Sequence, residues 1–263
     1  MSDRASSGAA EASGACAPAA ALELRGIEGL PEIATGDDLG RLIAERAAPL
    51  HPGDVVVVAQ KVVSKSEGRL RSLRTVAPGP RALELAERLH ADPRMVQVVL
   101  DESVRVVRAD RVLIVETRHG YVCANAGVDR SNLPGDDLVC LLPVDCDRSA
   151  AGLRRRIAEV VGADVGVVIS DTFGRPWRVG LCNVALGVAG IPATVDYRGS
   201  PDDFGMPLHA TVVAVADEIA AAAELVMGKT KRIPAVVVRG LGLEASPGSG
   251  RELVRSADLD LFR

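Results

Sequence analysis

A chain of 263 residues with only three Phe, two Tyr and one Trp cannot build its core from rings. Ala, Val, Leu and Ile must do the packing, and they fall in short runs. The segment Asp54-VVVVAQKVVSKSEG reads as two β-branched strand runs ending in a polar turn. Arg111-VLIVET and Tyr121-VCAN read as strands paired around the Arg-His-Gly turn at 118–120. Further short strands are expected after Leu22, at Leu138-VCLLP, at Val165-GVVIS and at Ala235-VVVRG. Helical patterns lie between them. One starts at Thr35–Asp38 with Leu39, Leu42 and Ile43 on one face, and another starts at Pro80 with Leu83, Leu85, Ala86 and Leu89. Two more cover Arg148–Val160 and Asp217–Met227. The βαβ alternation is too irregular for a doubly wound sheet, and the hairpin-like pairs point to an α+β fold with mixed sheets.

The scarcity of rings leaves few base-stacking platforms, and a net charge of −4 gives no general pull toward phosphate backbones, so nucleic acid is not an expected partner. No apolar run reaches the 18 residues that a membrane span needs. The five cysteines, Cys16, Cys123, Cys140, Cys146 and Cys182, are odd in number and none shares a CxxC spacing, which suits buried thiols in a reducing cytoplasm. Residues 1–21 are rich in small residues and lack the Leu-rich segment of a signal peptide, so they read as a disordered extension. Residues 22–245 then form the main domain, expected as one body or two intertwined subdomains. The Gly/Ser/Pro-rich stretch after Leu241 and the tail 246–263 are expected to be a loose extension.

Three short matches carry no weight. Met227-Gly-Lys-Thr230 imitates the end of a P-loop, but Ala223 stands where its first Gly is needed and an Ala-rich helix precedes it. Gly240-Leu-Gly-Leu-Glu-Ala245 lacks the helix of a dinucleotide fingerprint, and Asp203-Phe-Gly205 lacks every kinase partner. Four loops suit chemistry better. An apolar strand delivers Ser170, Asp171 and Thr172 at its carboxyl end, where oxygen donors suit a hard divalent cation, and Arg175 and Arg178 follow to neutralise anions. Taken alone, Asp171 reads more readily as the cap of a turn or helix, and the Asp129 loop equally as a polar turn closing a hairpin. Asn125, Asp129, Ser131 and Asn132 fill a tight Gly-flanked loop; Asp129 offers a second carboxylate and Asn132 both a donor and an acceptor. Ser64, Lys65 and Arg69 follow an apolar run, placing phosphate-suited donors at a strand end. Gly29-Leu-Pro-Glu-Ile33 has a Pro-fixed backbone that can present amides. Two carboxylates, several cations and amide groups are what nucleotide-dependent phosphoryl transfer requires. The four histidines are scattered and form no Ser-His-Asp arrangement.

In the order and spacing of these stretches, with the Ala-rich segment from Asp217 to Lys229 and Ile233-PAVVVRG, the chain resembles the coenzyme F420:L-glutamate ligase family from about Leu22 to Leu241. A similar module in actinobacteria is fused to a flavin-binding reductase-like domain. This chain ends near where that extension would begin, so the single-domain form is expected. The resemblance implies an α+β fold of unusual topology and a homodimer with the active site in a groove near the interface. It implies GTP as substrate with Mg or Mn, and potassium, in the addition of L-glutamate to the coenzyme F420 precursor through an acyl phosphate, with further γ-linked glutamates possible. By matching motifs it makes Asp129, Asp171, Thr172 and Glu224 metal ligands. Asp129, Asp171 and Arg175 become the catalytic set. Leu30, Pro31, Glu32, Ile33, Ser64, Lys65, Arg69, Asn132, Met227, Gly228 and Lys229 become the nucleotide contacts. A metal-dependent nucleotide phosphohydrolase could use the same carboxylates, and a GTP- or deazaflavin-binding protein without catalysis is the other alternative.

Overall fold

The computed structural model describes residues 21–260; the extension expected over 1–21 lies outside them except for Ala21, and so does Cys16. From β1 (Glu23–Gly26) the chain enters α1 (Leu39–Ala47), where the Asp38 side chain accepts the backbone N–H of Arg41 and caps the helix. β2 (Val55–Ala59) runs directly into α2 (Gln60–Ser66). There follow β3 (Leu70–Ser72), α3 (Pro80–Leu89), α4 (Pro93–Asp101), β4 (Ser103–Ala109), β5 (Leu113–Thr117), β6 (Val122–Ala124) and β7 (Leu138–Cys140). Then come α5 (Cys146–Val161), β8 (Gly166–Arg175) and β9 (Arg178–Ala189). The short pair β10 (Val195–Asp196) and β11 (Val212–Val213), α6 (Val215–Met227) and β12 (Ala235–Arg239) complete the order.

The central sheet has the order β1-β12-β2-β8-β9, with β2 and β8 parallel and the other neighbours antiparallel. Successive side chains of a strand point to opposite faces, and here both faces are covered. Val56, Val58, Val167 and Ile169 pack with Ile43 of α1 and Ile157 of α5. Val55, Val57 and Val168 pack with Ile219, Ala223 and Met227 of α6. A strand buried on both sides has no polar position to alternate with, which is why four valines run in succession. A second lobe holds the sheet β4-β5-β6 and the pair β3-β7 against α3 and α4, around Leu73, Leu85, Val98, Leu113, Val115 and Val139. The molecule is therefore α+β with one mixed sheet and several small ones.

Several expectations are corrected. The second β-branched run, Val62–Val63, is helical in α2, so Ser64 and Lys65 lie on a helix and not at a strand end. Two β-branched residues in a helix cost roughly 0.5 kcal/mol each. Burying Val63 against the sheet contributes roughly 1.5–3 kcal/mol, so packing overrides propensity. The strand expected to stop at Ser170 continues to Arg175, because β9 returns alongside and pairs Asp171 with Val184 and Thr172 with Asn183. Leu83 is exposed, and Ala82, Leu85 and Ala86 form the buried face of α3. The stretch after Leu241 is docked rather than loose. Leu241, Leu243 and Leu253 pack against the α6 side of the sheet, and Asp147 accepts from Ser249 Oγ at 2.5 Å and from the Gly250 N–H at 2.7 Å. A Cβ on Gly250 would stand 2.2 Å from the Leu186 carbonyl, so only glycine permits that approach.

Candidate active site

The parallel pair sets the site. The β2–β8 pairing ends with Ala59 opposite Ser170, and the chain beyond that point carries polar residues on both sides. Beyond β2, α2 places Lys61 and Lys65 four residues apart on one face. The Lys61 ammonium donates to Asp129 Oδ2 at 2.5 Å, to Ser131 Oγ at 2.6 Å and to the Ser131 carbonyl at 2.8 Å. Lys65 donates to Glu32 at 2.5 Å and to the Asn132 carbonyl at 2.9 Å. Thus the segment holding Glu32 and the loop 129–132 are both tied to α2. That loop is fixed from behind, because Asp129 and Cys140 exchange both backbone hydrogen bonds, at 3.0 and 2.8 Å. Its turn also demands left-handed backbone at Asn125, Ala126 and Asn132, with φ of 51, 54 and 56°. Ala126 has no polar side chain to ease that conformation by a local hydrogen bond, and such strain persists only where the surroundings enforce it.

Beyond Ser170, Asp171 and Thr172 follow on β8 and project to opposite sides of the strand, Asp171 within reach of Asp129 and Lys61, and Thr172 against Asn183. Lys229, just past α6, donates to Thr172 Oγ1 at 2.5 Å and pairs with Glu224 at 2.8 Å. Asn183, buried on β9, joins Thr172, Ser170 and Glu224. Three ion pairs result, Glu32–Lys65, Asp129–Lys61 and Glu224–Lys229, and Asp171 feels the charges of Asp129, Lys61 and Lys229.

The acids Asp129 and Asp171 differ. Burial works against the charge of Asp129, but Lys61 and the amide and hydroxyl of Ser131 outweigh it and hold the carboxyl below the usual range. Asp171 is pushed up to about 6, first by burial and then by the negative charge of Asp129; Thr172's N–H, Lys61 and Lys229 only partly offset this. Asp129 and Asp171, 42 positions apart in the sequence, therefore stand within each other's electrostatic reach. Both ammonium groups, Lys61 and Lys229, also act on Asp171. Among the described residues no three or more His, Cys, Asp or Glu side chains gather as a ready-made metal cage.

Residues 28–240 match the family model described as F420-0:Gamma-glutamyl ligase. The chain belongs to that family. It is 50% identical over 238 residues to the coenzyme F420:L-glutamate ligase of Methanopyrus kandleri, covering 88% of this chain and 94% of the relative. It is 46% identical over 250 residues to the same-named protein of Methanothermobacter thermautotrophicus, covering 92% and 99%. Against that of Archaeoglobus fulgidus it is 46% identical over 243 residues, covering 92% and 96%. Membership makes the chain an amide-bond-forming ligase.

Within this member of the family the expected site residues divide. Asp129, Asp171, Thr172, Glu224, Glu32, Lys65, Asn132 and Lys229 come together along the groove. Pro31 is exposed beside Glu32, whereas Leu30 packs on the core and Ile33 is buried in it. Five others lie elsewhere. Ser64 is fully buried, and its hydroxyl accepts from Gln60 one turn back on α2. Arg69 is spent on Glu102 and the Leu142 carbonyl. Met227 is a core residue under the sheet, and Gly228 ends α6 in a left-handed conformation. Arg175 lies at the tip of the β8–β9 hairpin, about 13 Å along the strand from Asp171 at ~3.3 Å per residue, donating to Val179. Sequence reasoning missed Lys61 and Asn183. The helical spacing Lys61–Lys65 would have signalled the first; nothing in the sequence signals the second, whose role depends on the unforeseen strand β9.

Proposed function

We propose that this ligase joins L-glutamate to the coenzyme F420 precursor F420-0, using GTP and divalent metal ions, and that the groove between α2, the 129–132 loop and β8 is where it does so. The meeting of Asp129 and Asp171 beneath Lys61 and Lys229 carries the reading, since a triphosphate and the ions that accompany it need acids and cations interleaved. Oxygen ligands that suit a hard cation are offered in two pairs, the carboxylates of Asp129 and Asp171, and the Glu224 carboxylate with the Thr172 hydroxyl, both bonded to Asn183. Burial and then the charge of Asp129 push Asp171 up, and a bound Mg or Mn would offset both. When bound, such ions neutralise charge developing on the phosphoryl group.

This chain's residues then have defined tasks. Lys61, Lys65 and Lys229 hold the phosphates, and the Glu32 segment and Asn132 frame the nucleotide. A carboxylate oxygen of F420-0 attacks the γ-phosphorus of GTP, the bond to the β-phosphate oxygen breaks, and GDP leaves behind an acyl phosphate. The amine of L-glutamate attacks the activated carbonyl, phosphate departs with the C–O electron pair, and the amine proton passes to solvent. Repetition on the new γ-carboxylate would lengthen the chain. Purified protein with GTP, Mn, L-glutamate and F420-0 should yield a product heavier by one or more glutamyl residues, with GDP formed in step. GDP release that is undiminished without F420-0 and glutamate would instead identify a phosphohydrolase, and nucleotide binding without product a non-catalytic binder.

The ligase is further proposed to work as a homodimer. Val179 and Leu181 on the hairpin arm are 99% and 68% exposed, Trp177 at its tip is 81% exposed, and Phe204 and Met206 add to the apolar surface at 93% and 64%. Such a collection is more than isolated surface apolars and suits a second copy of the same arm. Leu181→Glu should convert a dimer to a monomer in light scattering; an unchanged mass would remove this arm from the interface.

A further inference from the structure

Asn183 is 4% exposed and stands directly opposite Thr172 in the β8–β9 ladder. Its amide nitrogen lies 3.1 Å from Glu224 Oε2 and 3.4 Å from Ser170 Oγ, and its oxygen lies 2.6 Å from Thr172 Oγ1. An ionised carboxylate only accepts hydrogen bonds, so the side facing Glu224 must be the NH2 group. The carbonyl side therefore faces Thr172, and a carbonyl only accepts. The Thr172 hydroxyl must donate its single proton to Asn183, which turns both of its lone pairs away from β9. One receives the Lys229 ammonium at 2.5 Å. The other is left for the groove.

We propose that Asn183 is a positioning residue: it fixes the Thr172 hydroxyl as an acceptor facing the groove and steadies Glu224 beside it, so that both present oxygen to a divalent cation. This rests on the metal-dependent ligase reading above. Without Asn183, Thr172 is free to rotate and to offer its proton in place of a lone pair, and Glu224 loses the donor that orients it. Lys229, which bonds both, then remains as a tie between the two. Outer hydrogen-bond partners of metal ligands commonly matter for affinity by about 10–100-fold when removed.

The test is a double-mutant cycle on Mn2+ affinity, read from the EPR signal of free Mn2+ with the full chain and GDP, on Asn183→Ala, Thr172→Val and the pair. Each single substitution should weaken Mn2+ binding about tenfold, and the pair should lose far less than the product of the two losses, because the second change removes a hydroxyl already disoriented. Ligation turnover should fall in parallel. A purely structural role would lower the melting temperature and leave the losses independent. Wild-type Mn2+ affinity in Asn183→Ala, or fully multiplicative losses in the pair, would overturn the inference. If Asn183→Ala does not fold, Asn183→Ser, whose hydroxyl is too short to bridge Thr172 and Glu224, carries the same comparison. Absence of Mn2+ binding by the wild-type protein would remove the metal reading itself, whereas wild-type binding with an unaffected Asn183 variant removes only this step.

Discussion

Asp54 and Asp171 stand at opposite ends of the same parallel strand pair, about 20 Å apart at ~3.3 Å per residue, and are treated in opposite ways. Asp54, before β2, is 2% exposed, yet Arg239 grips both carboxylate oxygens at 2.8 and 2.7 Å and the His51 N–H adds a third bond at 2.8 Å. Burial opposes its charge, but Arg239 and His51 outweigh the burial and keep it below its usual range. Asp171, at the far end, has another acid as neighbour and is pushed up to about 6. One end of the sheet closes its electrostatics internally, and the other leaves them open. An acid with every partner supplied stabilises the fold; an acid crowded by burial and like charge is arranged for a ligand.

That contrast can be broken or sharpened by experiment. Asp171→Asn should lower ligation by ~10³-fold, the scale of losing a group that stabilises transferring charge, with no loss of melting temperature. Retained turnover would end the contrast. Asp129→Ala should cost ~10²-fold or more in turnover, and it leaves Lys61 without its carboxylate, so GTP binding measured by calorimetry should change as well. At the closed end, Arg239→Met should cost about 2 kcal/mol in urea unfolding with turnover per folded molecule unchanged. This is below the ~3–5 kcal/mol of a fully buried pair because Arg239 is 31% exposed.

The pH dependence should separate the two ends more finely. Asp54, lowered from 3.8, contributes stability that is full above that value and is lost as pH falls through its folded-state pKa, so the deficit of Arg239→Met should shrink in acid. Asp171, raised from 3.8 to about 6, acts oppositely: metal-free protein loses stability as pH rises from about 4 to about 6. Asp171→Asn should therefore melt above the wild type at pH 8 and level with it at pH 3. Equal melting temperatures at both pH values would show that Asp171 is not strained.

Much of this was legible in the chain. The cap at Asp38, the Pro80 start of α3, the β5–β6 hairpin and the valine strands follow from local chemistry. The acids of the groove were legible as types, since Asp129 and Asp171 each sit just past an apolar run. What was not legible came from neighbours distant in sequence. Ser64 and Lys65 looked like free phosphate donors beyond a strand, yet Ser64 is taken up by Gln60 one helical turn back and Lys65 by Glu32 and Asn132, because the segment is a helix, on which residues four apart meet. Arg69 looked available for phosphate until Glu102, 33 residues on, claimed it.

The sequence by itself determined which segments are apolar enough to be buried, where several helices must begin, and which oxygen-bearing and cationic residues lie just beyond the strands. Those follow from each residue's own chemistry and its spacing from near neighbours. Only the tertiary structure decided that β9 would extend β8 past Asp171, that α2 would be a helix, and that Asn183 would meet Thr172 and Glu224. Those outcomes depend on which surfaces bury each other across long stretches of chain, and burial is a property of pairs of segments that neither segment carries alone.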